Sequence, residues 1–291
     1  MKQKNYIKNA RGRECLAYEI VGSLATAYNH KFKVLELPVP KNIDHEKNQI
    51  VLPYYEGRHY NKAWGEPYGG SQMGLELSRE IPAMLCDLSK IDTKLILKND
   101  KIKDVPKFQF DFAAWKHEFT REARKFRENG FLSQEEVNAA EDALEDEFSS
   151  SFIFSNGDFY PRNFIKQGEK VILIDWQTWD GNYRVNLLDY WENVLAFCFI
   201  HMWDNDPWQL AYLKEMQKYF RLNVPNFQKA LLIKSFEQAN AWFRSEDLRE
   251  KQLRIFKNAL DSEYVNYLVT YTKPSITQIF TRTLRGVLSK G

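Results

Sequence analysis

Residues 152–176 read FIFSNGDFYPRNFIKQGEKVILIDW and carry the most informative pattern in the sequence. A short apolar strand is predicted at 152–154, and a second apolar strand is predicted at 171–174, after a turn that contains Gly168. The polar residues lie after the first strand and at the end of the second. Two strands that close on polar loops place these polar side chains near one another, at the mouth of a mostly helical domain.

Three oxygen-bearing side chains in this stretch have the chemistry of a phosphoryl-transfer site. Asp158 is followed by Asn163, and Asp175 lies 17 residues after Asp158, at the strand end. Phosphoryl transfer needs one carboxylate that orients the acceptor hydroxyl and takes its proton, and an Asn and a second carboxylate that bind Mg²⁺. The alternative is that Asp158 and Asn163 are turn formers and Asp175 is a helix cap, because Asp-x4-Asn by itself is a weak motif.

The same residues resemble the signature of the aminoglycoside phosphotransferase and choline kinase family, which has a protein-kinase-like fold. That signature is His-Gly-Asp-x4-Asn followed by Ile-Asp-Trp or Ile-Asp-Phe. Asn-Gly-Asp-Phe-Tyr-Pro-Arg-Asn at 156–163 and Ile-Asp-Trp-Gln at 174–177 are similar to it. Weaker likenesses to the family's hinge strand, to the end of the helix after the hinge and to a later Asp occur at residues 50–57, 85–92 and 187–190. The resemblance covers about residues 6–200.

The resemblance implies an enzyme, a small-molecule kinase with an alcohol group as the acceptor. It implies that Asp158 is the catalytic base, that Asn163 and Asp175 bind Mg²⁺, and that ATP donates the phosphoryl group. The partner is then the hydroxyl of a small molecule similar to an aminoglycoside, choline or a sugar.

The resemblance also implies a nucleotide site in the N-terminal part of the chain. Backbone groups of the hinge strand would pair with the adenine ring; the residues concerned are Pro53, Tyr54 and Tyr55. Tyr6-Ile7-Lys8 resembles the end of the strand that carries a phosphate-binding Lys. Glu19, or alternatively Glu14, on the following helix would be the partner of Lys8. A surface Lys near a frayed terminus is an equally weighted alternative.

Two features depart from the family pattern. Asn156 stands where the family has a His that holds the catalytic loop by hydrogen bonds, and an amide is expected to replace it with modest damage. Little sequence precedes residue 6, so the chain is expected to start inside the small lobe, without the glycine-containing hairpin that covers the phosphates. These departures leave an alternative function, a catalytically impaired kinase-like protein that binds or regulates.

The predicted fold class is α+β, with a reduced small lobe at 1–57 and a mainly helical large lobe at 58–291. In the small lobe, a helix is predicted at 11–28, beside a ribbon of two strands at 32–37 and 49–55. Helical patterns dominate the large lobe; they span residues 71–90, 112–129, 133–148, 187–201, 208–220, 227–243, 253–271 and 277–288. Ser133 and Glu136 form a capping-box pattern at the start of one of them.

Composition excludes several other classes of protein. The 291 residues carry a net charge of +2, which removes any whole-protein argument for a nucleic-acid partner. The three cysteines lie far apart in the sequence, as is typical of free thiols in a reducing compartment. No apolar run approaches the roughly 18 residues that a membrane span needs. We therefore expect a cytoplasmic protein that is not a membrane protein.

The acceptor site is expected between the catalytic loop and the later helices. The candidates for its lining are aromatic and acidic residues that suit a cationic or sugar-like molecule; they are Trp179, Trp191, Glu192 and Trp203. Ordinary core packing explains each Trp equally well.

Overall fold

A computed structural model describes residues 4–10, 14–59, 72–98, 108–176, 186–202 and 206–272 of the chain. The strands are concentrated in two stretches, residues 5–59 and 152–190, and most of the helices lie between and after these stretches. The strands are β1 (Asn5–Asn9), β2 (Leu35–Glu36), β3 (Asn42–Asp44), β4 (Gln49–Pro53), β5 (Arg58–His59), β6 (Phe152–Phe154), β7 (Phe164–Gln167), β8 (Lys170–Leu173) and β9 (Leu188–Tyr190). The helices are α1 (Glu14–Tyr28), α2 (Gln72–Leu88), α3 (Thr93–Leu97), α4 (Phe112–Glu128), α5 (Gln134–Ala143), α6 (Trp191–Ile200), α7 (Asp206–Met216), α8 (Val224–Ala241), α9 (Glu246–Leu260) and α10 (Ser262–Tyr271).

The first sheet is antiparallel and has the strand order β1-β4-β3. Residues alternate along β4, so that Ile50 and Leu52 are buried while their neighbours are partly exposed. Lys8 on β1 lies opposite Ile50 in this register. The sheet therefore places Lys8 beside the strand that leads into the predicted hinge.

The second sheet joins early and late parts of the chain in the order β2-β8-β7-β5. β7 and β8 form a hairpin whose turn contains Gly168, at a φ of 59°. β2 pairs in parallel with β8. The expectation that residues 32–37 form a ribbon with the strand at 49–55 is therefore wrong, because the partner of β2 is β8 and the partners of β4 are β1 and β3.

A buried carboxylate explains why β2 lies against β8. Asp87, near the end of α2, accepts hydrogen bonds from the backbone N–H groups of Lys33 at 3.0 Å, Val34 at 2.7 Å and Leu35 at 2.9 Å. Lys90 donates to the same carboxylate at 2.5 Å. These bonds hold the segment before β2 against α2, and so direct β2 towards the β7–β8 hairpin.

The third sheet pairs β6 with β9 in antiparallel register. The predicted helix at 187–201 therefore begins at Trp191, because Leu188, Asp189 and Tyr190 pair with β6 instead. Apolar periodicity alone does not distinguish a short buried strand from the start of a helix.

The core of the large lobe is rich in aromatic side chains. The predicted stripe of α4 is buried as expected; it consists of Phe112, Trp115, Phe119, Ala123 and Phe126. Phe119 and Phe126 pack against Phe236 of α8, with ring centroids 4.7 and 5.1 Å apart. The capping box of Ser133 and Glu136 is confirmed at the start of α5.

Further helix boundaries differ from the predicted ones. The helix predicted at 253–271 is two helices, α9 and α10, which divide at Asp261, whose side chain accepts from the N–H of Glu263 at 2.8 Å and caps α10. The helix predicted at 133–148 ends at Ala143. The helix predicted at 277–288 lies outside the described residues.

Gly57 lies where the chain leaves the first sheet and enters the second. A Cβ atom at this position would lie 2.3 Å from the backbone oxygen of Lys166, so only Gly permits this approach to β7. The second sheet takes strands from both sides of position 57, and the lobe boundary there stays a prediction. The α+β fold class is confirmed. No helix in the described ranges combines the length and apolarity that a membrane crossing requires.

Replacing Asp87 by Ala is expected to lower the free energy of unfolding by about 2 to 4 kcal/mol, because buried N–H groups lose their acceptor. Burial alone would raise the pKa of Asp87, but the hydrogen bonds from Leu35, Lys90, Lys33 and Val34 lower it. Since the folded pKa is the lower one, this contribution is present above the unfolded pKa of about 3.9 and is lost as the pH falls through the folded pKa. Urea unfolding at neutral pH and at decreasing pH measures both effects.

The matched control is Asp142→Ala, which removes an exposed carboxylate from α5 and should leave the urea midpoint nearly unchanged. Equal stability of Asp87→Ala and the wild-type protein would show that Asp87 does not anchor β2.

Candidate functional site

The loop that follows β6 is held at its start by Ser155. The backbone N–H of Ser155 donates to the Leu187 carbonyl at 2.9 Å, and the side chain of Ser155 accepts from the N–H of Gly157 at 3.2 Å. Gly157 has a φ of 71°, a conformation that Gly adopts without the steric cost of a Cβ. The chain therefore turns sharply just before Asp158.

Asn163 holds this loop to Asp158. It lies at the end of a single 3-10 turn, Pro161–Asn163, and is almost fully buried. Its Nδ2 atom donates to the backbone oxygen of Asp158 at 2.8 Å and to Asp158 Oδ2 at 3.1 Å. Both contacts use the NH₂ group of Asn163, so Oδ1 is the atom that would ligate a cation.

Asp175 lies at the same end of the β7–β8 hairpin as Asn163. The N–H of Ile174 donates to the Asn163 carbonyl at 2.9 Å, which continues the strand pairing to the edge of the site. Asp175 has a φ of 62°, in the left-handed region that few residues other than Gly adopt, although Asp and Asn are enriched there. The sequence expectation that Asp158, Asn163 and Asp175 lie close together agrees with these contacts.

Asn156 connects the loop to the strand that carries Asp175. It is fully buried, and its Nδ2 atom donates to the carbonyl oxygen of Ile174 at 3.0 Å. An amide at this position therefore makes the loop-to-strand hydrogen bond expected of it. The Oδ1 atom of Asn156 is buried and accepts no hydrogen bond from the described residues.

Arg162 is a site residue that the sequence reasoning missed. It donates to Asp158 Oδ2 at 2.7 Å. Burial alone would lower the pKa of Arg162, but the charges of Asp158 and Asp175 raise it. The charges of both carboxylates thus act on the guanidinium of Arg162, which supports the conclusion that Asp158 and Asp175 lie near each other. The position of Arg162 four residues after Asp158 in a loop was the available signal.

Lys8 reaches the site from the other end of the chain. Its ammonium forms ion pairs with the carboxylates of Asp175 and Glu14. Burial alone would lower the pKa of Lys8, but Tyr18, Asp175 and Glu14 together raise it, so Lys8 is charged. The structure therefore brings the predicted phosphate-binding Lys to the predicted metal ligand.

The acidic partner of Lys8 is Glu14, the alternative that the sequence left open. Glu14 is the first residue of α1 and is buried. Glu19, the first choice, accepts a hydrogen bond from His45 Nε2 at 2.7 Å. The burial pattern of α1 explains the difference, because Glu14 and Tyr18 are buried along this helix, whereas Glu19 is only partly buried.

Tyr18 is a second residue that the sequence reasoning missed. Its phenolic oxygen accepts the backbone N–H of Asp175 at 3.2 Å. Burial raises the pKa of Tyr18 to about 12, against the opposing charge of Lys8, so the phenol is neutral at physiological pH. The sequence signal that could have identified Tyr18 is its position four residues after Glu14 on α1.

The three predicted adenine-binding residues follow one another at the end of β4. Pro53 is the last residue of this strand. Tyr54 is 50% exposed, and its N–H donates to the Lys4 carbonyl at 3.0 Å. Burial raises the pKa of Tyr55 to about 12, against a hydrogen bond from the Val39 backbone that lowers it. Their role in nucleotide binding stays a prediction.

Two of the acceptor-site candidates are engaged in internal packing. The ring of Trp191 stacks on Phe220, with centroids 4.9 Å apart. Glu192 is buried; it accepts from Ser150 at 2.5 Å and from Asn226 at 3.1 Å. Internal packing therefore accounts for Trp191 and Glu192. Trp179 and Trp203 lie outside the described residues.

The donor set suits magnesium better than a transition metal. Asp175 and Asn163 offer hard oxygen atoms, and the residue before Asp175 pairs with Asn163 through the backbone. Mg²⁺ is bound by one or two such protein groups together with waters and nucleotide phosphates. Across the described part of the chain, no group of three or more His, Cys, Asp or Glu side chains is arranged to hold a metal. These residues therefore fit a magnesium–nucleotide site.

No family model matches the chain, and no curated protein matches it by sequence. A choline/ethanolamine kinase family protein from Mesorhizobium loti is similar in structure, with a TM-score of 0.54 and 11% identity over 91% of this chain and 86% of that one. The ternary complex of APH(2'')-IIa with streptomycin and ATP is also similar, with a TM-score of 0.51 and 13% identity over 90% of this chain and 86% of that one.

At such low identity the likeness concerns the fold. It extends over most of both chains. The chain therefore has the two-lobed, protein-kinase-like fold that aminoglycoside phosphotransferases and choline kinase-like proteins share.

Proposed function

We propose that this protein is a small-molecule kinase that transfers the γ-phosphoryl group of ATP to a hydroxyl of its acceptor. The observation that carries the proposal is the arrangement of Asp158, Asn163 and Asp175 at one end of the β7–β8 hairpin, with Lys8 paired to Asp175. A base, two oxygen ligands and a cation at one place are the groups that phosphoryl transfer needs.

Asp158 is the base in this proposal. Its Oδ2 atom accepts hydrogen bonds from Arg162 and Asn163, which orient the carboxylate. The Oδ1 atom then accepts a hydrogen bond from the hydroxyl of the small-molecule substrate and takes its proton when the new phosphate ester forms. The side chain is 15% exposed, so a small molecule approaches it from solvent.

Asn163 and Asp175 hold Mg²⁺, and Lys8 binds the nucleotide phosphates. Mg²⁺ bound with ATP supplies charge neutralisation for the transferred group. The residues of the chain orient the reacting groups. Asn163 hydrogen-bonds to Asp158 and so links the base to the metal ligands. The left-handed backbone of Asp175 directs the chain away from β8. Backbone groups of the segment that includes Pro53, Tyr54 and Tyr55 bind the adenine ring.

The comparisons support the substrate class at a coarse level. The APH(2'')-IIa complex contains streptomycin and ATP, and its fold matches that of the present chain. The second similar structure is described as a choline/ethanolamine kinase family protein. We therefore infer an acceptor that is an amino sugar, an amino alcohol or a sugar.

One observation favours a second candidate function. The carboxylate of Asp175 is neutralised by Lys8, and a cation at Asp175 must compete with this ion pair. A kinase-shaped binding or regulatory protein that keeps the pair closed would bind its ligand without turnover. The two functions differ in whether ATP and Mg²⁺ stabilise the protein together.

Asp158→Ala is expected to lower the rate of ATP-dependent phosphorylation by at least about 100-fold, because the acceptor hydroxyl loses its base. The thermal midpoint should change little, because the residue lies in a polar loop. ADP release is measured with a panel of amino sugars, amino alcohols and sugars, beside Asp142→Ala as a carboxylate control remote in the sequence. If the wild-type protein releases no more ADP than Asp158→Ala with every acceptor, the enzyme assignment is wrong.

Asp175→Asn is expected to abolish the extra stabilisation that Mg²⁺ adds to ATP in a thermal-shift experiment, because a neutral amide binds the cation weakly. Asn is the suitable replacement, since it tolerates the left-handed backbone at this position. In the wild-type protein, ATP with Mg²⁺ should raise the midpoint more than ATP with EDTA.

The control for this experiment is Asp261→Asn, a second Asp-to-Asn change, at a helix cap where an amide also accepts hydrogen bonds. It should respond to Mg²⁺ as the wild-type protein does. If ATP has the same effect on the wild-type protein with and without Mg²⁺, the binding or regulatory function is favoured.

A further inference from the structure

We propose that Tyr18 is a positioning residue for Asp175: its phenolic oxygen holds the backbone of Asp175 in the conformation that presents the carboxylate to the cation. The inference rests on the proposed function, and it adds a residue outside the predicted site. Tyr18 acts through Asp175 and is not itself a ligand.

The contact that carries the inference is a hydrogen bond between distant parts of the chain. The N–H of Asp175 donates to Tyr18 Oη at 3.2 Å, across 157 positions of sequence. β8 ends at Leu173, so the N–H of Asp175 lies beyond the hydrogen-bond ladder of the hairpin. A backbone N–H in a partly buried position needs an acceptor, and the Tyr18 hydroxyl provides one.

Helix α1 is built to bring this hydroxyl to the site. Tyr18 is 1% exposed and follows Glu14 by four residues, so both side chains lie on the same face of the helix. Glu14 pairs with Lys8, whose ammonium lies 5.7 Å from the centroid of the Tyr18 ring. A single helix face thus contacts both members of the Lys8–Asp175 ion pair.

The neighbours of Asp175 are also anchored by groups other than Tyr18, in addition to a hydrogen bond between the Trp176 backbone and the Tyr18 hydroxyl. The Ile174 carbonyl accepts from Asn156 at 3.0 Å. The Trp176 ring is buried, stacks on Phe154 at 5.1 Å and donates from Nε1 to the Leu173 carbonyl at 2.7 Å. The path of the chain on either side of Asp175 therefore persists without Tyr18. What the hydroxyl of Tyr18 adds is the orientation of the peptide unit that leads into Asp175.

The test compares two Tyr-to-Phe variants on the same helix. Tyr18→Phe keeps the buried ring and removes the acceptor of the Asp175 N–H. Tyr28→Phe removes the same kind of bond elsewhere, because the Tyr28 hydroxyl accepts the N–H of Asp92 at 3.1 Å. Tyr28 also has a Lys over its ring, Lys31 at 4.7 Å, so the two sites are chemically matched.

Two measurements are made on both variants. The first is hydrogen exchange of the Asp175 amide by NMR, without ligands, which reports the hydrogen bond itself. It should become at least about tenfold faster in Tyr18→Phe and stay unchanged in Tyr28→Phe. The second is the Mg²⁺ concentration at which the shift of the thermal midpoint reaches half of its maximum, at a constant concentration of ATP. It should rise about five- to tenfold in Tyr18→Phe only, since groups that orient a metal ligand tune the affinity for the metal.

The outcomes separate this inference from the proposed function. If the wild-type protein responds to Mg²⁺ and Tyr18→Phe has the same half-saturating concentration, Tyr18 does not position Asp175, and the kinase proposal stands. Unchanged amide exchange in Tyr18→Phe also overturns the inference. If the wild-type protein has no response to Mg²⁺ with ATP, the proposed function fails, and the role of Tyr18 at a cation site fails with it. An equal rise in both variants would indicate a general loss of stability and overturn the inference as well.

Discussion

The ion pair between Lys8 and Asp175 joins parts of the chain that are 167 residues apart, and the geometry of the site depends on it. Lys8 is on the edge strand β1 of a three-stranded sheet, and Asp175 follows the hairpin of another sheet. With Glu14 as a third member, the charges form an acid–base–acid set that is mostly shielded from water. Such a buried cluster is costly to break by removing one partner, and it therefore specifies how β1, α1 and the hairpin meet.

A buried carboxylate with distant partners also positions a second part of the fold. Asp87 accepts hydrogen bonds from three consecutive backbone N–H groups, the last of which is in β2, and β2 adds a parallel strand to the β7–β8 hairpin. One carboxylate thus ties α2 to the sheet that carries the site, and the Lys8–Asp175 pair ties β1 to the same sheet. Both are charged groups satisfied by long-range partners, so the hairpin is positioned from two directions.

Sequence reasoning was accurate where structure depends on neighbouring residues. The capping box at Ser133 needs only residues within one turn, and the stripe of α4 follows from helical periodicity. It failed where an element chooses a distant partner. Residues 188–190 had a helical pattern, yet they pair with β6, and residues 35–36 pair with β8. Strand pairing is a long-range choice that local propensity does not encode.

The membership of the candidate site follows from local sequence: Asp158, Asn163 and Asp175 lie within 18 residues, and one short hairpin brings them together. The groups around them come from distant parts of the chain. Whether Glu14 or Glu19 meets Lys8, and that Tyr18 meets Asp175, depends on how α1 is rotated against the sheet and the hairpin. That rotation is set by how α1 packs against β3 and β4. Spacing along a helix shows which residues share a face, but packing alone selects the face that is buried.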